Sequence, residues 1–125
     1  IIPKDRSAYP TPAVSRISAG ALEYMRVAQV NNMVRFAKTL KDQDVWIVGL
    51  DQNAGQPIYT ADLTAAVGLV VGGEEKGIRP LLKRNCDLLI SIPQSGPVGS
   101  LNASVAGAVA MYESYRQRTL NLGAS

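Results

Sequence analysis

Leu69-Val-Val-Gly-Gly-Glu-Glu-Lys-Gly77 and Ile92-Pro-Gln-Ser-Gly-Pro-Val-Gly-Ser-Leu-Asn-Ala-Ser-Val-Ala106 decide the fold class of this chain. Each block carries an apolar strand into a glycine-rich turn, and each turn holds a few polar groups. Strand ends of that kind are where open α/β sheets place ligands. Glycine lets the backbone approach a flat or phosphorylated ligand, so that freed N–H and C=O groups can read it. Upstream, Val45-Trp-Ile-Val-Gly-Leu50 is a continuous apolar, β-branched run, as in a strand covered on both faces.

Further outward the elements alternate. Ile1-Ile2 reads as the end of a strand stopped by Pro3, and Thr11-Pro12 opens a short helix over 12–18 with proline at its first position. Residues 22–30 read as a short strand. Asn31 is the expected N-cap of a helix in which Met33, Val34, Ala37 and Leu40 recur at helical spacing. After the strand at 45–50, the spacing predicts a polar loop over 51–62, a buried strand over 65–71, a short basic helix over 78–86 and a strand over 88–92. The last helix is predicted over 102–118, with Val105, Ala108, Val109, Tyr112 and Tyr115 as the stripe facing the core. Gly107 within it is explained by a close contact with another helix or subunit, and equally by chance. Buried strands alternating with short helices define an α/β fold with a mainly parallel sheet and right-handed crossovers. No repeat, low-complexity tract or linker divides residues 1–125, so one domain is expected.

With 125 residues, 46% of them hydrophobic and 18% charged, a packed core is expected rather than disorder. The net charge of +3 and a pI near 9.2 suit an RNA partner without demanding one. A lone cysteine, Cys86, forms no internal disulfide; it reads as a buried small hydrophobe in a cytoplasmic protein. No run reaches the length of a membrane span, so no membrane partner is expected. The sequence opens in an apolar run without an initiator methionine, as expected of a piece of a longer protein.

The absence of histidine excludes a Ser-His-Asp triad, a Cys-His pair and a histidine-ligated metal; no metal is expected. There is no phosphate-binding Gly-x-x-x-x-Gly-Lys-Ser/Thr loop and no Gly-x-Gly-x-x-Gly fingerprint. What remains is backbone groups, the carboxylate of Glu74, the hydroxyls of the third block and Asn102. Such a set orients a hydroxyl for attack on a reactive donor, which suits methyl transfer from S-adenosylmethionine. Read more plainly, Glu74 would favour the N-terminus of the basic helix, and Ser100 and Asn102 would be N-caps of the last one.

Taken together, Gly-x-Glu-x-x-Gly after one buried strand and Ile-Pro-x-x-Gly-x-x-x-Ser-Leu-Asn-x-Ser-x-Ala after the next resemble the second and third motifs of the SpoU (TrmH) branch of the SPOUT RNA methyltransferases. Lys4-Asp5-Arg6-Ser7-Ala8 and Ser18-Ala-Gly-Ala21 are similar to the subgroup that methylates a guanosine ribose of 23S ribosomal RNA. The resemblance implies a trefoil-knotted α/β domain, S-adenosylmethionine bound inside the knot, and a homodimer with its active sites at the interface. It implies cofactor contacts from Gly72, Ile92 and Leu101, loops shaped by Gly77, Gly96 and Gly99, and catalytic roles for Glu74, Ser100 and Asn102. Leu50, at the end of its strand, is a further candidate for lining the cofactor pocket, or equally a plain core leucine. Lys76, Arg79, Lys83 and Arg84 form a basic cluster suited either to RNA phosphates or to a solvated helix face. The family's first motif, with its asparagine and arginine, would precede Ile1, so residues 1–125 are expected to lack the domain's first strand and helix. Alternatives are a tRNA ribose 2′-O-methyltransferase, a non-catalytic RNA-binding or dimerisation module, and a nucleotide-binding domain of unrelated function.

Overall fold

The computed structural model describes residues 1–3, 28–73, 76–95 and 102–124. It falls into two compact units, residues 1–36 and 37–125. In the first, β1 (Ile2–Pro3) and β2 (Gln29–Val30) pair in parallel, Ile2 opposite Gln29. The predicted helix at 12–18, the body of the strand at 22–30 and both stretches that resemble the ribosomal subgroup lie outside the described residues.

Helix α1 (Met33–Asp42) begins one residue later than the sequence suggested. Its N-cap is Asn32, not Asn31: the Asn32 Oδ1 accepts a hydrogen bond from the Arg35 amide at 3.0 Å. That bond occupies one of the amides a helix start leaves without a partner. The helix buries Ala37.

In the second unit, β3 (Trp46–Leu50), β4 (Val67–Val70) and β5 (Leu88–Ile90) form a parallel sheet in the order β4-β3-β5. Trp46 lies opposite Val67 and Val48 opposite Leu88. The middle of β3 (Ile47, Val48 and Gly49) is buried, as the continuous apolar run predicted, whereas Trp46 is exposed. Between β3 and β4 a turn of 3-10 helix (Ile58–Thr60) drops Ile58 into the core. Helix α2 is only Pro80–Arg84, shorter than 78–86, and proline sits at its first position. The core gathers Val48, Ile58, Ala61, Leu63, Ile90 and Ala110, with Leu50, Val67, Leu69, Leu88 and Ile92 packed against it. Full burial of a side chain such as Leu63 or Ile90 contributes roughly 1.5–3 kcal/mol relative to exposure.

The N-terminal end of the sheet is closed by Asp87. Its Oδ2 accepts from the Ile47 amide at 2.8 Å, its own amide donates to the Ile47 carbonyl, and Lys41 lies 3.4 Å from Oδ1. At the other end, where the Asp51 amide donates to the Ile90 carbonyl at 2.9 Å, the loops after β3, β4 and β5 gather.

Helix α3 (Ala103–Ala124) runs beyond the predicted end at 118 and presents a different face to the core. Gly107, Ala110 and Ser114 are buried. Val105, Ala108, Val109, Tyr112 and Tyr115, expected inside, are exposed. Helical spacing fits both stripes; the small one wins because it admits close approach and places polar groups against waiting partners. Ser114 Oγ donates to the Leu63 carbonyl at 2.8 Å. The Gln117 carboxamide accepts from the Leu63 amide at 2.8 Å and donates to the Ala61 carbonyl at 2.9 Å. Gly107 faces Val71 at the end of β4 rather than another helix.

Candidate functional site

The loops at the C-terminal strand ends enclose a cleft of about 310 Å³. That is at the lower end of the range of small-molecule sites. Leu50, at the end of β3, and Ile90 and Ile92, at and beyond the end of β5, supply apolar wall. Gly72 and Gly73 supply bare backbone beyond β4, and Ala103 and Ala106 of α3 close another side.

The glycines are there for steric reasons. A Cβ on Gly72 would collide with the backbone of Gly77 and Ile78, because the chain doubles back on itself here. Gly73 and Gly77 exchange amide-to-carbonyl hydrogen bonds at 2.9 and 3.2 Å, and Gly77 has a φ of 65°, which L-residues rarely adopt. Among the described residues, a Cβ on Gly73 would meet nothing within 4 Å. Of these residues, one side of the turn is therefore packed against backbone and the other is not.

Of the residues named from the sequence, the structure brings Leu50, Gly72, Gly77 and Ile92 to this cleft, together with Lys76 and Lys83. Asn102 caps α3: its Oδ1 accepts from the Ser104 amide at 2.8 Å and its carbonyl accepts from the Ala106 amide. Arg79 and Arg84 are exposed on and beside α2. Glu74, Gly96, Gly99, Ser100 and Leu101 lie outside the described residues. Cys86 is half-buried; burial pushes its thiol up, and the sulfur contacts the Leu82 carbonyl, consistent with a small hydrophobe. Among the described residues no group of histidine, cysteine or carboxylate side chains could hold a metal ion, and no helix is long and apolar enough to cross a membrane.

Asp51 went unnoticed in the sequence, where it opens a polar loop. In the structure it lies in the cleft, just past β3, with its side chain only 13% exposed. Lys83 of α2 reaches it at 2.6 Å, and the Asn53 amide donates to its Oδ1 at 2.9 Å. The bond from Lys83, then that from Asn53, holds the Asp51 carboxyl below the usual range. Among the described residues, Lys83 is the member of the basic cluster whose charge is engaged with a carboxylate. A position at the C-terminus of the central strand was the available signal, since that is where such sheets bind ligands.

A parallel sheet with a glycine-framed cleft at its C-terminal edge defines an α/β domain whose cleft lies where open sheets of this kind place ligands. More specifically, the chain belongs to the SpoU rRNA methylase family, whose model matches residues 1–112. It is 46% identical over 120 residues to the 23S rRNA (guanosine-2′-O-)-methyltransferase RlmB of Xylella fastidiosa, covering 96% of this chain and 48% of that protein. To RlmB of Photobacterium profundum it is 43% identical over 120 residues, covering 96% and 49%. The chain therefore spans about half the length of the curated relatives it matches. Among solved structures, the SpoU methyltransferase AviRb from Streptomyces viridochromogenes in complex with AdoMet superposes with a TM-score of 0.85 at 26% identity, over 94% of this chain and 49% of that one. The TrmH/SpoU tRNA modifying enzyme of A. aeolicus does so with a TM-score of 0.81 at 28% identity, over 94% and 58%. The α/β fold with parallel strands read from the sequence is that of these methyltransferases.

Proposed function

We propose that the chain forms the cofactor-binding part of an S-adenosylmethionine-dependent enzyme that methylates a ribose 2′-hydroxyl of RNA, a guanosine of 23S ribosomal RNA. The observation that carries this reading is the cleft itself, where Leu50, Gly72 and Ile92 come together from three different strand ends. A bare glycine edge beside branched apolar side chains suits the face and edge of a purine. The identity to RlmB proteins points to ribosomal RNA as the substrate.

When bound, the cofactor supplies a methyl group already activated on a sulfonium, so the protein's share of the work is alignment. Gly72 and Gly77 set the turn that would face the adenine, and Leu50 and Ile92 would exclude water around it. Glu74, Ser100, Leu101 and Gly96 are assigned by motif to the same site, Glu74 and Ser100 with Asn102 arranging the ribose to be methylated. Lys76, Arg79 and Arg84 would meet RNA phosphates as exposed cations. The knotted threading of the C-terminal region belongs to this reading, as does the homodimer, which the exposed apolar row on α3 supports. The solvent-facing basic side chains and the lone reduced cysteine suit a cytoplasmic setting.

The test is calorimetric titration of the folded chain with S-adenosylhomocysteine, with ATP as the control. Selective micromolar binding of the former is expected. Equal response to ATP would favour a general nucleotide-binding domain, and no response would remove the cofactor reading. Methyl incorporation into 23S rather than transfer RNA transcripts, measured with the longer protein, separates the two RNA substrates.

A further inference from the structure

Asp51 and Lys83 stand apart from the motifs that define the family, yet both line the cleft. Their arrangement is specific. Lys83 Nζ binds Asp51 Oδ2 at 2.6 Å and the Asn53 amide binds Oδ1 at 2.9 Å, so each carboxylate oxygen has one fixed partner. The Asp51 amide meanwhile donates to the Ile90 carbonyl at 2.9 Å, which ties this residue's backbone to the end of β5. A carboxylate offers about four acceptor positions. Among the described residues two are filled by protein, which leaves about one on each oxygen.

The chemistry of the ligand group that would use them follows from the charge. Asp51 is already neutralised by an ammonium, so a second cation brought to it would gain little over water. Neutral hydroxyl donors lose nothing by that pairing and find an ionised, fixed acceptor, and hydrogen bonds to such acceptors are the stronger kind. Two open positions on neighbouring oxygens suit two neighbouring hydroxyls. We infer that Asp51 is a specificity-determining residue of the cleft that accepts hydrogen bonds from the vicinal ribose hydroxyls of the adenosyl cofactor, and that Lys83 is its positioning residue. This inference rests on the cofactor reading above and assigns one part of the cofactor to one side chain. It also removes Lys83 from the set of RNA-contacting cations.

The experiment compares S-adenosylhomocysteine with its 2′,3′-dideoxy counterpart by calorimetry, on the unaltered chain and on Asp51→Asn, Lys83→Met and Lys83→Arg. The unaltered chain should bind the dideoxy ligand at least tenfold more weakly. Asp51→Asn should weaken the natural ligand by a similar factor and bind the two ligands alike, because the group that distinguished them is gone. Lys83→Met should narrow the preference and Lys83→Arg should keep most of it. The ligand-side comparison requires no altered protein, so a misfolded variant does not spoil the test. An unaltered chain that binds both ligands equally would overturn the assignment while leaving the cofactor reading intact, as would an Asp51→Asn chain that weakens both by the same factor. An unaltered chain that binds neither would overturn both.

Discussion

Single residues set the character of the cleft, and Gly72 and Asp51 do so in opposite ways. Gly72 contributes by having no side chain: any Cβ there meets backbone, which cannot swing aside. Gly72→Ala should force the 73–77 turn open, with a stability cost of roughly 1–3 kcal/mol, as for other overpacked sites. It should also weaken S-adenosylhomocysteine binding at least tenfold. Gly55→Ala is the natural control, since among the described residues a Cβ there meets nothing within 4 Å; its melting temperature and affinity should stay at the unaltered values. Equal behaviour of the two variants would show that the turn is not part of the site. Asp51 contributes a charge. Its carboxyl is held down first by the bond from Lys83 and then by that from Asn53. A depressed folded-state pKa stabilises the fold fully above the unfolded value, about 3.9, and that stabilisation is lost as pH falls through the folded value. The pair is therefore intact throughout the neutral range, and Asp51 should add no pH dependence to cofactor affinity between about pH 5 and 8. A titration midpoint inside that window that disappears in Asp51→Asn would contradict the geometry.

Among the elements, α3 shows most clearly how packing is decided. Its inward face is Gly107, Ala110, Ser114 and Gln117, and its grip on the 61–65 segment is largely polar. Gln117 meets both the Ala61 carbonyl and the Leu63 amide, while Arg118 donates to the Ala65 carbonyl at 2.6 Å. Gln117→Ala should leave those two backbone groups without their partner, at about 1–3 kcal/mol for a buried group so deprived, and lower the melting temperature by several degrees. A melt indistinguishable from the unaltered chain would mean water replaces the carboxamide freely. The same helix marks where reading the sequence stopped working. Ranking residues by apolarity selects Val105, Val109 and Tyr112, because a stripe of Gly, Ala, Ser and Gln carries little hydrophobic signal although it packs more closely. Strands β3, β4 and β5 were legible because short apolar, β-branched runs such as 45–50 favour a strand. That Leu50, Gly72 and Ile92 share one cleft was legible because each sits at or just past the C-terminal end of a strand, where the loops of such a sheet gather. Asp51 was not, since a lone aspartate in a polar loop acquires meaning only when Lys83 is folded onto it. Asn32 replaced Asn31 as the cap through a shift of one residue, which two consecutive asparagines leave undetermined in the sequence.

At the scale of the whole molecule, the outward face of α3 is the feature that one copy of the chain leaves unexplained. Val105, Val109, Met111, Tyr112, Tyr115 and Leu120 are 38–69% exposed along one helix, and the rings of Tyr112 and Tyr115 lie 6.2 Å apart. Scattered apolar residues on a surface are ordinary, but a contiguous row of large ones marks an interaction surface. A helix also presents one stripe to any single neighbour, so a second apolar stripe on the face away from the core calls for a second neighbour. A twofold pairing of identical helices is the simplest arrangement, because the commonest closed oligomer is a dimer built from one patch used twice. Light scattering coupled to gel filtration should therefore report about twice 13.3 kDa for the unaltered chain. Tyr112→Glu together with Val109→Glu should shift it to a single copy, since two carboxylates would be desolvated at the centre of the contact. Both positions point away from Leu63 and Ala61, so circular dichroism of the double variant should retain the helical and sheet signal. A single-copy mass for the unaltered chain across micromolar concentrations would exclude pairing through this face. A persistent dimer in the double variant would place the contact elsewhere on the chain.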